Sequence, residues 1–444
     1  ALLHALLCTS NGQRAAPYSP KKVAIVGGQA SLAAAAKARL YSPDVYYSWI
    51  FGMLTAYDKP DAVAAVLSLT DQLDVLLLSP LDELLRPLSS AGASEAYEFA
   101  KQVGGERLTV EANVSSANAV PAILKWLTGS QVKVRHGHSG GGGTGGGAAI
   151  QPLSKWYYFG AAGSLQGTLN RELTDQSVSL LHSRASSVVS LGSDKQKWLS
   201  RQAKVFEAFG GTGSGPFAPM PPPNRSPPKY NVTKTLRRPG YTCELILYET
   251  RPGFYASGAI WTPTKLKQQK GGKAPGVLMV SGHTSDGFRS NNLGGPTSAN
   301  DPPDDDYQVV EINLVARGFV VLAFDPIGQG ERMQYADIKE GRPDPAAPWG
   351  KGAAGSYLWD SCDQHEYIGR QLLLNGVGLM SFWLHDEMIS LDLLESLPQV
   401  DADSLGVVGC SGGGTQSSYL GAMDSRVKAA SMACYISTKE IDSC

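Results

Sequence analysis

The sequence predicts an α/β protein in two unlike parts: a mostly parallel sheet with helices on both faces, preceded by a separate N-terminal α/β domain. Three observations carry this. Short apolar runs ending in turn formers alternate with helical stretches in both halves. A Pro/Gly-rich stretch at 210–230 divides the halves, because prolines remove donors and fix the backbone. Two alternating segments joined by Arg-Pro-Gly open the second half as an antiparallel hairpin. At 444 residues the chain has room for two or three domains.

Residues 1–17 begin with "ALLHALLC", either the remainder of a secretory signal's hydrophobic region or the first helix of a truncated chain. The N-terminal domain is placed at 18–138. In it "KKVAIVGG" and "LDVLLLSP" read as buried strands, and "DAVAAVLSL" and "NAVPAILKWL" as helices. Gly27 and Gly28 do not fit GxGxxG, and no acidic residue follows at the proper distance. A tight strand-to-helix turn is therefore expected there, not a nucleotide cradle. Residues 139–149 form a Gly-rich tract, read as a loop insertion or linker. Segment 150–209 reads as helical, and 210–230 as the linker before a final domain at 231–444.

In that domain the hairpin "TCELILYET" and "FYASGAIWTP" leads to "GVLMVSGH" (strand), "DDYQVVEINLVARG" (helix) and "FVVLAFDP" (strand). A long polar loop is expected to about 375. Then come "MSFWLHDEMISLDLLESL" (helix), "SLGVVGCS" (strand), "GGTQSSYLGAM" (helix) and "VKAASMACYI" (strand). A hairpin entering a parallel sheet is the opening of an α/β-hydrolase fold.

Composition excludes several functions. Formal net charge is −1 and charged residues are 18%, which gives no electrostatic case for nucleic acid or an anionic membrane. No apolar run is long enough to span a bilayer. The six cysteines show no metal spacing and no CxxC, and their even number permits disulfides without requiring them. Neither a metal nor a cofactor is expected. Sequons at Asn113 and Asn231 point to a glycoprotein, secreted or in the endomembrane lumen.

The chemistry concentrates at Gly409-Cys410-Ser411-Gly412-Gly413, a G-x-S-x-G with a strand before and a helix after. Side chains at the flanking positions would collide with strand and helix, so glycines there push the serine hydroxyl out at the carboxyl end of the sheet. Ser411 is then the nucleophile, and the NH of Gly412 points to where a tetrahedral oxyanion forms. The loop after "VLMV" supplies the second donor, the NH of His283 or Thr284, with the His283 side chain lining the pocket. Asp325, ending "AFDP", reads as a structural brace. His365 and Glu366 are placed to wall a pocket, with no third ligand spaced for a metal. His385, Asp386 and Glu387 read as a solvated face or as sheet-packing contacts.

"PGVLMVSGHTSDG", "GFVVLAFDPIGQGER" and above all "LPQVDADSLGVVGCSGGG" resemble the acetyl xylan esterase-like α/β-hydrolases. These are related to the dienelactone hydrolases and the prolyl oligopeptidase-type peptidases. The resemblance covers about 231–444. It implies a serine carboxylester hydrolase acting through an acyl-enzyme at Ser411 on a small-molecule or carbohydrate ester. Relatives carry an acid and then a histidine after the serine. Here no histidine follows Ser411, and the only later carboxylates are Asp424, Glu440 and Asp442. Glu440 and Asp442 are the candidates for the acid. The sheet is expected to be truncated after its sixth strand, with the histidine beyond Cys444 or on a partner chain that completes the fold. The alternative is an inactive hydrolase fold kept as a scaffold or assembly subunit. A prolyl oligopeptidase-type peptidase is disfavoured because 1–205 shows no repeated strands.

Overall fold

The computed structural model describes residues 20–42, 49, 52–69, 71–130, 165–208, 221, 225–266, 272–284, 287–288, 306–335 and 361–434. The possible leader at 1–17, the glycine tract at 139–149, most of the linker at 210–230, and Glu440 and Asp442 lie outside them.

Strands β1 (Lys22–Val26), β2 and β3 form a parallel three-stranded sheet in that order. From β1 the chain passes through α1 (Leu32–Lys37) and α2 (Lys59–Leu69) to β2 (Asp74–Leu78). It returns through α3 (Ser90–Ala96) and α4 (Glu98–Gly104) to β3 (Leu108–Glu111), and α5 (Ser116–Thr128) follows. Helices α2 and α4 pack together over a core of Val63, Val66, Leu67, Val75, Leu77 and Leu108. The glycines after β1 make the tight turn expected of them, with Gly27 at φ 63°. The N-terminus of α1 is closed from within the chain. Asp58 accepts from the backbone of Leu32 (2.7 Å) and Ala33 (3.1 Å) and from the Ser31 hydroxyl (2.5 Å). A carboxylate of the protein thus fills the position where a phosphate would sit in a nucleotide fold.

Helices α6 (Leu165–Val189) and α7 (Lys195–Ala208) belong mostly to a second compact unit spanning Lys133–Val205. They are joined by a turn in which Asp194 accepts from the backbone of Gln196 at 2.9 Å, and the Trp198 indole donates to Gly192 at the same distance.

The larger sheet has seven strands, in the order β10-β9-β7-β8-β6-β5-β4. Strands β4 (Tyr230–Arg238), β5 (Tyr241–Arg251) and β6 (Phe254–Pro263) are antiparallel, as the hairpin pattern predicted for the last two. Strand β7 (Ala274–Val280), helix α8 (Asp306–Ala316) and strand β8 (Val320–Phe324) begin the parallel part. Helices α9 (Ser361–Leu374) and α10 (Leu379–Ser396) precede β9 (Val400–Cys410); α11 (Gly412–Met423) and β10 (Val427–Ala433) follow. This is an α/β-hydrolase arrangement. Alternate residues of the central strands face opposite layers. Ile260, Leu278 and Leu322 meet Leu391 and Leu394 of α10, while Trp261, Met279 and Val321 face Val315 of α8. Both faces are covered, so these strands read as unbroken apolar runs.

One reading needs correction. The long polar loop to 375 ends early, because Ser361–Leu374 is helical. Its inward residues include Gln364, His365 and Tyr367, polar or amphipathic types that hide the helical period. Of the two readings of His385, Asp386 and Glu387, a solvated face or packing contacts, the structure takes the second. All three are buried in α10, which packs against sheet and helices along nearly its whole length.

The N-terminal sheet packs onto the larger one through α9. Ala35, Tyr41, Tyr335 and Tyr367 share one apolar cluster; Leu32, Met53 and Leu374 share another. Tyr41 and Tyr367 stack at 4.1 Å and clasp each other: the Tyr41 hydroxyl donates to the Tyr367 carbonyl (2.8 Å), and the Tyr367 hydroxyl to the Tyr41 carbonyl (2.6 Å). Gln371 adds bonds to the carbonyls of Ala35 (2.9 Å) and Ala38 (2.7 Å), closing the end of α1.

Candidate active site

Ser411 stands between β9 and α11 with φ 54° and ψ −122°, a conformation L-residues rarely adopt. Such strain costs roughly 1–3 kcal/mol and persists only where the surroundings impose it. Here the Ser411 N–H donates to the carbonyl of Ala433 on β10 (3.0 Å), and its carbonyl accepts the Thr415 N–H (3.0 Å), the first bond of α11. The glycine requirement is geometric. A Cβ on Gly409 would strike the Gly413 carbonyl, so strand and helix could not approach. A Cβ on Gly412 would lie 2.7–3.0 Å from three ring atoms of His283. The His283 imidazole therefore lies directly over Gly412, beside the serine.

Of the residues singled out in the sequence, the structure brings Ser411, Gly412, His283 and His365 together. His283 and Thr284 are half-buried on the loop after β7. The His365 ring sits 5.0 Å from that of His283 and meets the Trp383 indole edge-on at 4.5 Å. Burial, reinforced by His283, pushes the His365 imidazole down to about 3, against a smaller opposing pull from the Ile327 carbonyl. Burial favours the neutral ring, and among the described residues neither ring nitrogen makes a well-aligned hydrogen bond. Glu366 turns the other way, half exposed and paired with Arg370 one helical turn on. Among the described residues no cluster of His, Cys, Asp or Glu could hold a metal.

Three polar residues that hold the loops went unassigned or under-read. Gln329, fully buried, donates to the Gly282 carbonyl (2.8 Å) and fixes the loop carrying His283. Asp325, also fully buried, accepts from the Ser257 hydroxyl (2.7 Å) and from the backbone of Phe288 (3.0 Å) and Glu331 (3.1 Å). It is a brace, as read. Arg332 donates to the Asp325 carbonyl (3.0 Å) and approaches Asp386 of α10 at 2.7 Å, a charge contact without hydrogen-bond alignment. The "DPIGQGER" turn was the available signal, since four polar residues in a glycine turn need partners.

Asp424, the one later carboxylate that is described, is committed elsewhere. Burial alone would raise its pKa, but the Arg426 guanidinium at 2.7 Å outweighs this and holds it low. Arg426 also binds Asp392 (2.7 Å) and Glu395 (2.6 Å), and Arg225 joins through Asp392. Cys243 is buried, Cys410 half-buried, and Cys362 and Cys434 exposed; no disulfide joins any of the four to another described residue.

No protein-family model matches the chain, and no curated protein matches it. Solved structures do. A Bacteroides fragilis protein described as an acetyl xylan esterase is 18% identical, with 52% of each chain covered and a TM-score of 0.36. An acetyl xylan esterase from Paenibacillus sp. R4 is 22% identical, covering 46% of this chain and 53% of that one, with a TM-score of 0.28. A glucuronoyl esterase from Solibacter usitatus is 17% identical, covering 53% and 58%, with a TM-score of 0.31. The chain spans about half the length of these structures. It is similar to esterases of the α/β-hydrolase type.

Proposed function

We propose that the protein is a serine carboxylester hydrolase acting through an acyl-enzyme on small-molecule or carbohydrate esters. The observation that carries the reading is Ser411 itself, a serine held in strained backbone at a strand-to-helix turn with His283 packed over Gly412. A merely structural turn would place glycine there. In this reading the Ser411 hydroxyl attacks the ester carbonyl and gives its proton to a histidine base. The oxyanion is met by the Gly412 N–H and by that of His283 or Thr284. The alcohol leaves, and water releases the acid. The base and the acid come from polypeptide outside the described residues, Glu440 and Asp442 being the acid candidates within this sequence. The sequons at Asn113 and Asn231, both on exposed residues, fit a glycosylated, secreted or luminal protein. No helix among the described residues is long and apolar enough to cross a membrane.

The test is a fluorophosphonate probe with a p-nitrophenyl acetate assay. Labelling of the intact protein that Ser411→Ala abolishes supports the reading. Absence of labelling of the intact protein overturns it.

A further inference from the structure

The three-stranded sheet ends at β3, and the outer edge of that strand runs along a cavity of about 560 Å³. In a parallel strand successive residues turn their peptide groups to opposite neighbours. The Glu111 carbonyl accepts from the Ser79 N–H at 2.7 Å, so its groups face β2. Leu108 and Val110 therefore present theirs to the open side. The Leu108 carbonyl is met there by the Lys101 ammonium at 2.5 Å. The N–H and C=O of Val110 have no partner among the described residues. Strand β4, at the edge of the larger sheet, is protected differently. It carries a bulge between Val232 and Lys234 and the basic side chains of Lys234, Arg237 and Arg238, the usual devices against strand pairing. Strand β3 keeps a regular register and has no lysine, arginine or proline.

Helices α3 and α4 overhang this edge. Buried Ala93 and Tyr97 line the cavity from their side, with the exposed Ser90 and Ser94 at its rim. Leu108 and Val110 turn their side chains to the same layer as Tyr97, and Thr109 and Glu111 turn to the other face. The space suits one extended strand and not a second sheet. A two-fold axis normal to the sheet would bring the α3 and α4 of a second copy into the space these helices already cover. Charge sets the direction of the strand. Lys101 stands at the start of β3 with two further N–H donors, and Glu111 stands exposed at its end. A strand antiparallel to β3 finishes beside Lys101, where a free C-terminal carboxylate meets the ammonium. Its third residue from the end falls opposite Val110 and exchanges both backbone bonds with it, and its fourth falls opposite Glu111.

We propose that the β3 edge is a docking site for the C-terminal end of an extended peptide, which adds to the sheet as a fourth strand. The peptide carries a basic residue fourth from its end, facing Glu111, and apolar residues first and third from its end, beneath Ala93 and Tyr97. The site is independent of the reaction at Ser411 and gives the N-terminal part a role of its own.

The test uses the pentapeptide Thr-Lys-Val-Thr-Val, labelled with fluorescein at its N-terminus, titrated with the full chain and read by anisotropy. Saturable binding is expected. The same peptide ending in an amide should bind about tenfold more weakly or worse, since a charge-assisted bond is lost. Lys101→Gln should bring the free-acid peptide down to the level of the amide. Proline in place of the third residue from the end should abolish binding, because it removes the N–H that the Val110 carbonyl accepts. If K101Q does not fold, the amide and proline peptides still decide on the unaltered protein. No saturable binding means that the edge is already paired, by a second copy or by another segment of the chain, and overturns the proposal. So does a proline peptide that binds as well as the parent, or equal binding of acid and amide.

Discussion

The chain makes the same local move twice, running from a parallel strand through a tight turn into a helix, and the two turns are finished differently. After β1 the left-handed backbone falls on a glycine, Gly27, and Asp58 closes the N-terminus of α1. After β9 it falls on a serine, Ser411, and among the described residues no side chain caps α11. The first turn has all that stability asks. The second keeps a strained residue and a helix N-terminus without a side-chain cap; both lower stability, and both suit the anionic transition state of the proposed reaction. On the proposed function, the contrast marks where, in a fold that repeats one motif, catalysis takes the place of the more stable solution.

Breaking the contrast at the second turn has the largest expected effect. Ser411→Ala should lower ester hydrolysis about a thousandfold or more while leaving the melting temperature near that of the parent. A variant retaining activity would place the chemistry elsewhere.

Acid should act on the two buried histidines of α9 and α10. His385 is held down to about 4, by burial first and then by Arg251, and His365 to about 3. Both folded values lie below the unfolded value, so the unfolded chain binds more protons as pH falls. The stability these groups carry is full above about 6.5 and drains away toward pH 4. The loss should be roughly 2 kcal/mol per histidine by pH 5, read from urea midpoints across that range. Flat midpoints between pH 7 and 5 would show that the rings are accessible to protons in the native state.

The first turn gives the next effect. Asp58→Ala removes the cap of α1 and should cost about 1–2 kcal/mol, with Ser411 labelling unchanged. Loss of labelling in that variant would mean that strain at one turn is felt at the other. The smallest change is the most diagnostic. Ser411→Gly should raise stability by about 1 kcal/mol, because glycine adopts this φ without strain. A destabilised glycine variant would show that the serine hydroxyl holds the turn together.

How much of this was legible depended on whether the signal was local. The parallel strands and the elbow could be read because burial on both faces leaves unbroken apolar runs, and because G-x-S-x-G marks a turn whose glycines answer steric contacts nearby. Helix α9 was hidden, since its inward face is Gln364, His365 and Tyr367 instead of leucines. Strand β4 was missed because it is an edge strand, mostly exposed, so burial imposes no alternation on it. Glu387 shows the opposite failure. Its charge suggests a surface, yet it is fully buried, and burial and Asp386 push its carboxyl well above the usual range. The proximity of His283 and His365 could not be read at all, for it depends on how two loops are folded against one helix.

The Tyr41–Tyr367 clasp carries a consequence for synthesis. Its partners are 326 residues apart, so at about 5–20 residues per second a ribosome needs roughly half a minute, within a factor of two, between making the first and the second. Through that interval the face formed by Leu32, Tyr41 and Met53 lacks the α9 surface it is shaped to meet. The N-terminal sheet is therefore an early folder with a late partner, and its exposed face is a natural target for a holding chaperone while the rest of the chain emerges.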